Sequence, residues 1–127
     1  MATTNTVTSP YAGQTVYSFT ALATNDTFDI DVSQATEILW QVTAGTLGGS
    51  TVALVGSLDG LTWVPLYQKP NGFGVNWGAL GVTNEPVRVT SLPSPGIFYV
   101  QPTRFVRVQV TGGSGTGIQC TLIVRTL

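Results

Sequence analysis

A chain of 127 residues supports one domain, and this one carries only five Lys or Arg and six Asp or Glu, 9% of its residues, against roughly 25% in an average soluble domain. With a net charge of −1 and its cations (Lys69, Arg88, Arg104, Arg107, Arg125) scattered, it offers no basic field to release counterions from a polyanion, so nucleic acid is not an expected partner. Apolar runs of only a few residues and a start, MATTNT, without a basic stretch followed by an apolar one predict neither a membrane-spanning helix nor a secretory leader.

In chain order, residues 1–14 (MATTNTVTSPYAGQ) are rich in Thr, Asn, Ser and Gly and weak in periodicity, which predicts an extended N-terminal arm leading into a single domain over 15–127. From there alternation with a period of two takes over, and no window has the spacing of a long amphipathic helix. Strands are predicted over 15–22; over 27–33, with Phe28, Ile30 and Val32 on one face; and over 36–44, with Ile38, Trp40 and Val42 inward. The run 51–67 holds a hairpin signal: Asp59-Gly60 between Leu58 and Leu61 suits a two-residue turn that needs positive φ angles.

Residues 68–86 break the rhythm, with Asn71-Gly72, Gly74, Gly78 and Gly81 interleaved among Phe73, Val75, Trp77 and Leu80, and a loop that long is usually functional. Further strands are predicted over 87–90, over 96–100, and over 104–111, where Val106, Val108 and Val110 alternate with Arg107 and Gln109. The glycine-rich stretch 112–117 reads as a flexible hairpin loop into a last strand, 118–126, whose inward residues are Ile118, Cys120, Leu122 and Val124. Eight or nine short antiparallel strands need two packed faces, so the predicted fold is an all-β sandwich of the jelly-roll or a related type, ahead of a closed barrel.

Two segments carry a resemblance to known proteins: VALVGSLDGLTWVPLY at 52–67 and TRFVRVQVTGGSGTGIQCTLIVRTL at 103–127. Ser57-x-Asp59-Gly60-x-x-Trp63, followed later by an Arg-aromatic-Val-Arg strand, resembles the galactose-binding-like and discoidin sandwiches, and resembles more closely the short structural proteins of bacteriophage particles. The motif also has a purely structural reading, in which the Asp-Gly turn closes a hairpin and Trp63 packs over it from the inner face. Discoidin domains are commonly closed by disulfides, whereas this chain has one cysteine. The phage resemblance implies a particle-bound β-sandwich, made in the host cytoplasm and carried on the capsid surface, as a homotrimer whose arm or loops insert into neighbouring subunits.

Catalysis needs a base, and histidine is absent, which leaves six carboxylates, Lys69, four tyrosines and Cys120 without a convincing constellation. Asp29 and Asp31, two apart on the wet face of one strand with Asp26 nearby, suggest solvated groups or partners for arginines before they suggest Ca²⁺, which wants six to eight oxygen ligands. The glycine-rich stretch lacks the lysine and following helix of a phosphate cradle. Lone Cys120, inside an apolar alternation, reads as a buried, inert thiol. No cofactor, metal or enzymatic activity is expected.

So few charges on so apolar a chain predict a surface that needs covering, and the candidate contact residues are Val7, Pro10 and Tyr11 in the arm and Phe73, Val75, Trp77 and Leu80 in the loop. Together with the resemblance this gives the leading expectation: a non-enzymatic capsid decoration or cement protein that stabilises the shell by bridging major capsid or other virion subunits. The alternative is a carbohydrate-binding module, or a tail or head-fibre adhesin, with Trp77 and Phe73 stacked on a sugar ring.

Overall fold

Alternation with a period of two gives each strand one apolar and one polar face, and the apolar faces can be buried only against one another. In the computed structural model, which describes residues 4–67, 87–92, 97–100 and 102–126, ten strands in two antiparallel sheets do this. They are β1 (Thr4–Tyr11), β2 (Gln14–Leu22), β3 (Thr27–Asp31), β4 (Ala35–Thr46), β5 (Thr51–Ser57), β6 (Val64–Pro65), β7 (Arg88–Val89), β8 (Phe98–Val100), β9 (Phe105–Thr111) and β10 (Thr116–Thr126). One sheet has the order β1-β2-β10-β4-β8; the other has β3-β9-β5-β6, with β7 beside β6 on the same edge of β5.

The pairings are nested. β2 pairs with β10, β3 with β9, β4 with β8, and β5 with both β6 and β7. The chain is doubled back on itself after β5, and the double ribbon is wound so that successive rungs fall in alternate sheets, which is the jelly-roll path. The all-β sandwich read from the alternation is therefore the fold, with one strand more than the eight or nine expected.

The additional strand is β1. Thr4 to Thr8 pair with Thr20 to Val16 of β2, so most of the segment read as an arm lies along the sheet edge. Backbone pairing rather than a regular apolar face holds it there, which is why periodicity did not reveal it. The turn between them uses Gly13 at φ +76, where a Cβ would lie 2.9 Å from the Thr126 carbonyl oxygen; the Thr126 N–H donates to the Gly13 carbonyl at 2.7 Å.

The core lies where the two inner faces meet. Phe19 of β2 packs on Phe28 of β3 with ring centroids 5.3 Å apart, and Trp40 of β4 on Phe98 of β8 at 5.6 Å. Ile38, Val42, Val106, Val108, Val110, Ile118, Leu122 and Val124 are buried as their alternation predicted. Cys120 is buried among them, and burial pushes its thiol up to about 12, opposed in part by the Trp40 side chain.

The glycine-rich connection 112–117 differs from expectation. It joins β9 in one sheet to β10 in the other, so it is an arch between sheets and not a hairpin, and it is clamped. The buried Ser50 Oγ donates to the Gly112 carbonyl at 2.6 Å and accepts from the Gly115 N–H at 2.9 Å. Thr24 Oγ1, 3.0 Å from Ser50 Oγ, accepts from the same Gly115 N–H at 2.8 Å and lies 3.2 Å from the same Gly112 carbonyl. The Gly112 carbonyl and the Gly115 N–H thus find side-chain partners where the strands have ended, while the Ser114 N–H and the Gly115 carbonyl pair with the backbone of Gly48 and Thr24.

Candidate docking surfaces

The connection between β5 and β6 is wider than a two-residue turn. The strands pair only at Val55↔Pro65 and Gly56↔Val64, and within the intervening loop Gly60 alone has a positive φ, +78, whereas the predicted tight turn needs two such residues. The reason is local competition from side chains. Asp59 Oδ1 accepts from the Leu61 and Thr62 N–H groups, both at 2.8 Å, and from the Ser57 hydroxyl at 2.9 Å, while Ser57 Oγ accepts from the Gly60 N–H at 2.9 Å. The backbone N–H groups of Thr62 and Leu61, in that order, followed by the Ser57 hydroxyl, hold the Asp59 carboxyl down at about 2.

This network fixes the loop without burying its side chains. Leu58 is 76% exposed and Leu61 is 84% exposed, and a hollow of about 400 Å³ opens beside Leu58, lined also by Thr62, Val64 and Thr103. Two leucines exposed on a loop held by these side-chain hydrogen bonds form a preorganised apolar surface. The side-chain entropy that binding normally costs is reduced where the backbone is already ordered.

Trp63 corrects a second expectation. The wide loop carries it over the outer face of the sheet, where the Arg107 guanidinium lies 4.0 Å from its ring centroid; it does not pack from the inner face. Arg107 is held in turn by Asp29, through Nε at 2.6 Å and Nη2 at 3.0 Å. This bidentate bond from Arg107, working against slight desolvation, keeps the Asp29 carboxyl below its ordinary range. Asp29, Arg107 and Trp63 form a line across the face. Asp31 accepts from the Ser33 N–H at 2.9 Å, so Asp29 and Asp31 serve an arginine and a turn.

The outer face of the other sheet carries an apolar row. Tyr99, Leu39, Ile123 and Val16 stand in register across β8, β4, β10 and β2. Ile97, 61% exposed, adjoins the row at a shallow hollow lined also by Leu39 and Ile123. On one side runs Glu37, Arg125 and Gln14, with Glu37 accepting from the Tyr99 hydroxyl and the Arg125 guanidinium; on the other run Gln41, Thr121 and Ser18.

Of the residues singled out from sequence, Val7 sits on the edge strand β1, 52% exposed. Pro10 and Tyr11 close that strand, where its pairing becomes irregular, and their side chains are outside what is described. Phe73, Val75, Trp77 and Leu80 lie outside the described residues, as does Lys69. The chain enters their segment after Tyr67 and leaves it at Val87, whose N–H donates to the Leu66 carbonyl at 2.8 Å, so both ends stand together on the outer edge of β5. Among the described residues no three Cys, Asp or Glu side chains come together as metal ligands.

In the sequence Leu58 and Leu61 stand only as the flanks of a turn. The signal that could have found them was their position: two leucines bracketing Asp-Gly, where loops are ordinarily polar. Comparison with known protein families, with curated proteins and with solved structures finds no match to this chain.

Proposed function

We propose that this protein is a non-catalytic docking subunit, a decoration or cement protein of a bacteriophage capsid, which attaches to assembled shell through the Ser57–Trp63 loop. The observation that carries this reading is the exposure of Leu58 and Leu61 on a backbone already fixed by Asp59 and Ser57. An apolar contact that is ordered before it meets its partner concentrates binding in a few anchors. The scarcity of charge and the apolar row on the opposite sheet are further surfaces that neighbouring subunits in a shell can cover.

The mechanism is mass action. A subunit that binds assembled shell but not free capsid protein adds its binding free energy to the assembled state, and many modest contacts repeated by symmetry suffice to resist internal pressure. Full burial of one leucine is worth about 1.5–3 kcal/mol, so losing either anchor weakens attachment by roughly tenfold to a hundredfold. The test adds purified protein, wild type or Leu58→Asp or Leu61→Asp, to undecorated capsids and measures co-sedimentation. Wild-type binding that both variants lose, with thermal unfolding unchanged, is the expected result. Variants that bind as the wild type does remove the loop from the mechanism; wild type that ignores capsids yet binds a glycan array refers the function to sugar recognition.

A further inference from the structure

Every open sheet presents edges whose unpaired N–H and C=O groups can template another chain, and natural edges are blunted by shortness, charge or proline. Among the described residues this sandwich has four. β8 is three residues long, and β6 and β7 are two residues each, with Pro65 in one and Arg88 in the other. β3 carries Asp29 and Asp31. β1 is different: it is eight residues long, TNTVTSPY, holds no charge, and has its single proline near one end. Among the described residues it is the terminal strand of its sheet and pairs only with β2.

We infer that β1 is the edge on which a second copy of this chain pairs, antiparallel and β1 to β1, around a twofold axis at Val7. A twofold at Val7 sets Val7 against its own counterpart and sets Thr6 against Thr8 and Asn5 against Ser9 of the second copy, so a charge at the axis would face a like charge at about 5 Å. Absence of charge from Thr4 to Tyr11 is what self-pairing demands, whereas a different partner is ordinarily selected by complementary charge. Val7 lies midway between Thr4, where the strand begins, and Pro10, which has no N–H to donate. It pairs with Tyr17 of β2 and is half exposed, so a second Val7 beside it would cover part of its side chain. The product is one continuous ten-stranded sheet across two copies, with twofold rather than the threefold symmetry that the phage resemblance implied. It is independent of what the leucine loop docks on.

The test is molar mass by light scattering. Wild type is expected at twice the 13.4 kDa of the chain. Val7→Lys, a change at a half-exposed position, is expected to run at half that mass with its thermal transition kept, and an equimolar mixture of Val7→Lys and Val7→Glu to regain the dimer. Val7→Cys is expected to cross-link under mild oxidation, because opposed Cβ atoms about 4.5–5.5 Å apart are near disulfide range, while the wild type, whose cysteine is buried, does not. A monomeric wild type, a trimer indifferent to Val7→Lys, or charge variants that fail to recombine with no Val7→Cys cross-link would each overturn the inference. A dimer that ignores capsids leaves this pairing intact and removes the docking reading; a monomer that decorates capsids does the reverse.

Discussion

Ser50 and Thr24 present the 112–117 arch with two overlapping sets of hydrogen bonds, and the overlap makes a quantitative prediction. Removing the Ser50 hydroxyl in Ser50→Ala deletes the bonds to the Gly112 carbonyl and the Gly115 N–H, each worth about 1 kcal/mol net. Thr24 Oγ1 still stands within reach of both groups, so neither is orphaned, and the loss is about 1.5 kcal/mol. Thr24→Ala, for the same reason reversed, costs about 1 kcal/mol. The double variant leaves the buried Gly115 N–H without either partner, and an unsatisfied buried polar group costs about 1–3 kcal/mol on its own, whereas the carbonyl of exposed Gly112 can turn to water. The pair should therefore lose about 4–5 kcal/mol, roughly 2 kcal/mol more than the sum of the single losses. Urea unfolding of the four proteins at one pH measures this coupling. Additive losses would show that water or the loop itself replaces the missing hydroxyls, and that the side chains do not clamp the arch.

Three other outcomes follow from particular residues. Gly45 has φ +126, and a Cβ there would lie 2.5 Å from Ile118 Cα, so Gly45→Ala should cost about 3 kcal/mol in denaturant unfolding; an unchanged midpoint contradicts the backbone geometry. The Asp59 carboxyl titrates at about 2 instead of 3.8, so its stabilisation is complete above its unfolded value and is lost as pH falls through 2. Amide exchange at Leu61 and Thr62, corrected for its intrinsic pH dependence, should accelerate in that acid range and, in Asp59→Asn, should already be faster at neutral pH; equal protection in the variant refutes the capping role. Cys120, with its thiol pushed up to about 12 by burial, should resist a disulfide reagent at pH 8 until the protein unfolds, and labelling of the native protein at the rate of a free thiol counts against the packing of β10.

Most strands were legible because they are short alternations whose apolar half is buried, from Ile38, Trp40 and Val42 in β4 to Val106, Val108 and Val110 in β9. Strand order was not, because alternation reports which face a residue takes and not which strand lies beside it. The 112–117 arch was misread as a hairpin for that reason: glycines announce a turn but do not say whether the chain returns to the same sheet. β1 escaped notice since an edge strand held by backbone pairing needs no apolar period. Trp63 and the leucines show the limit of turn chemistry, for Asp-Gly signals a reversal while the Ser57 and Asp59 side chains decide its width. Val7 stood out as an apolar residue in a polar, weakly patterned segment, and it lies half exposed on β1; the exposure of Leu58 and Leu61 was not legible from spacing, which does not separate exposed leucines from buried ones, and only their place beside Asp-Gly hinted at it.

The nested order of pairing also ranks the distances the chain must close. Val55 meets Pro65 across a single short loop, Leu39 meets Tyr99 only after that loop is closed, Asp29 meets Arg107 later still, and Val16 reaches Ile123 from nearly the far end of the chain. Closure entropy rises with each step, and every inner rung shortens the effective loop for the next. Folding is therefore expected to zip outward from the Ser57–Trp63 turn, which would make the segment that holds the two leucines in water the place where the search for the native topology begins.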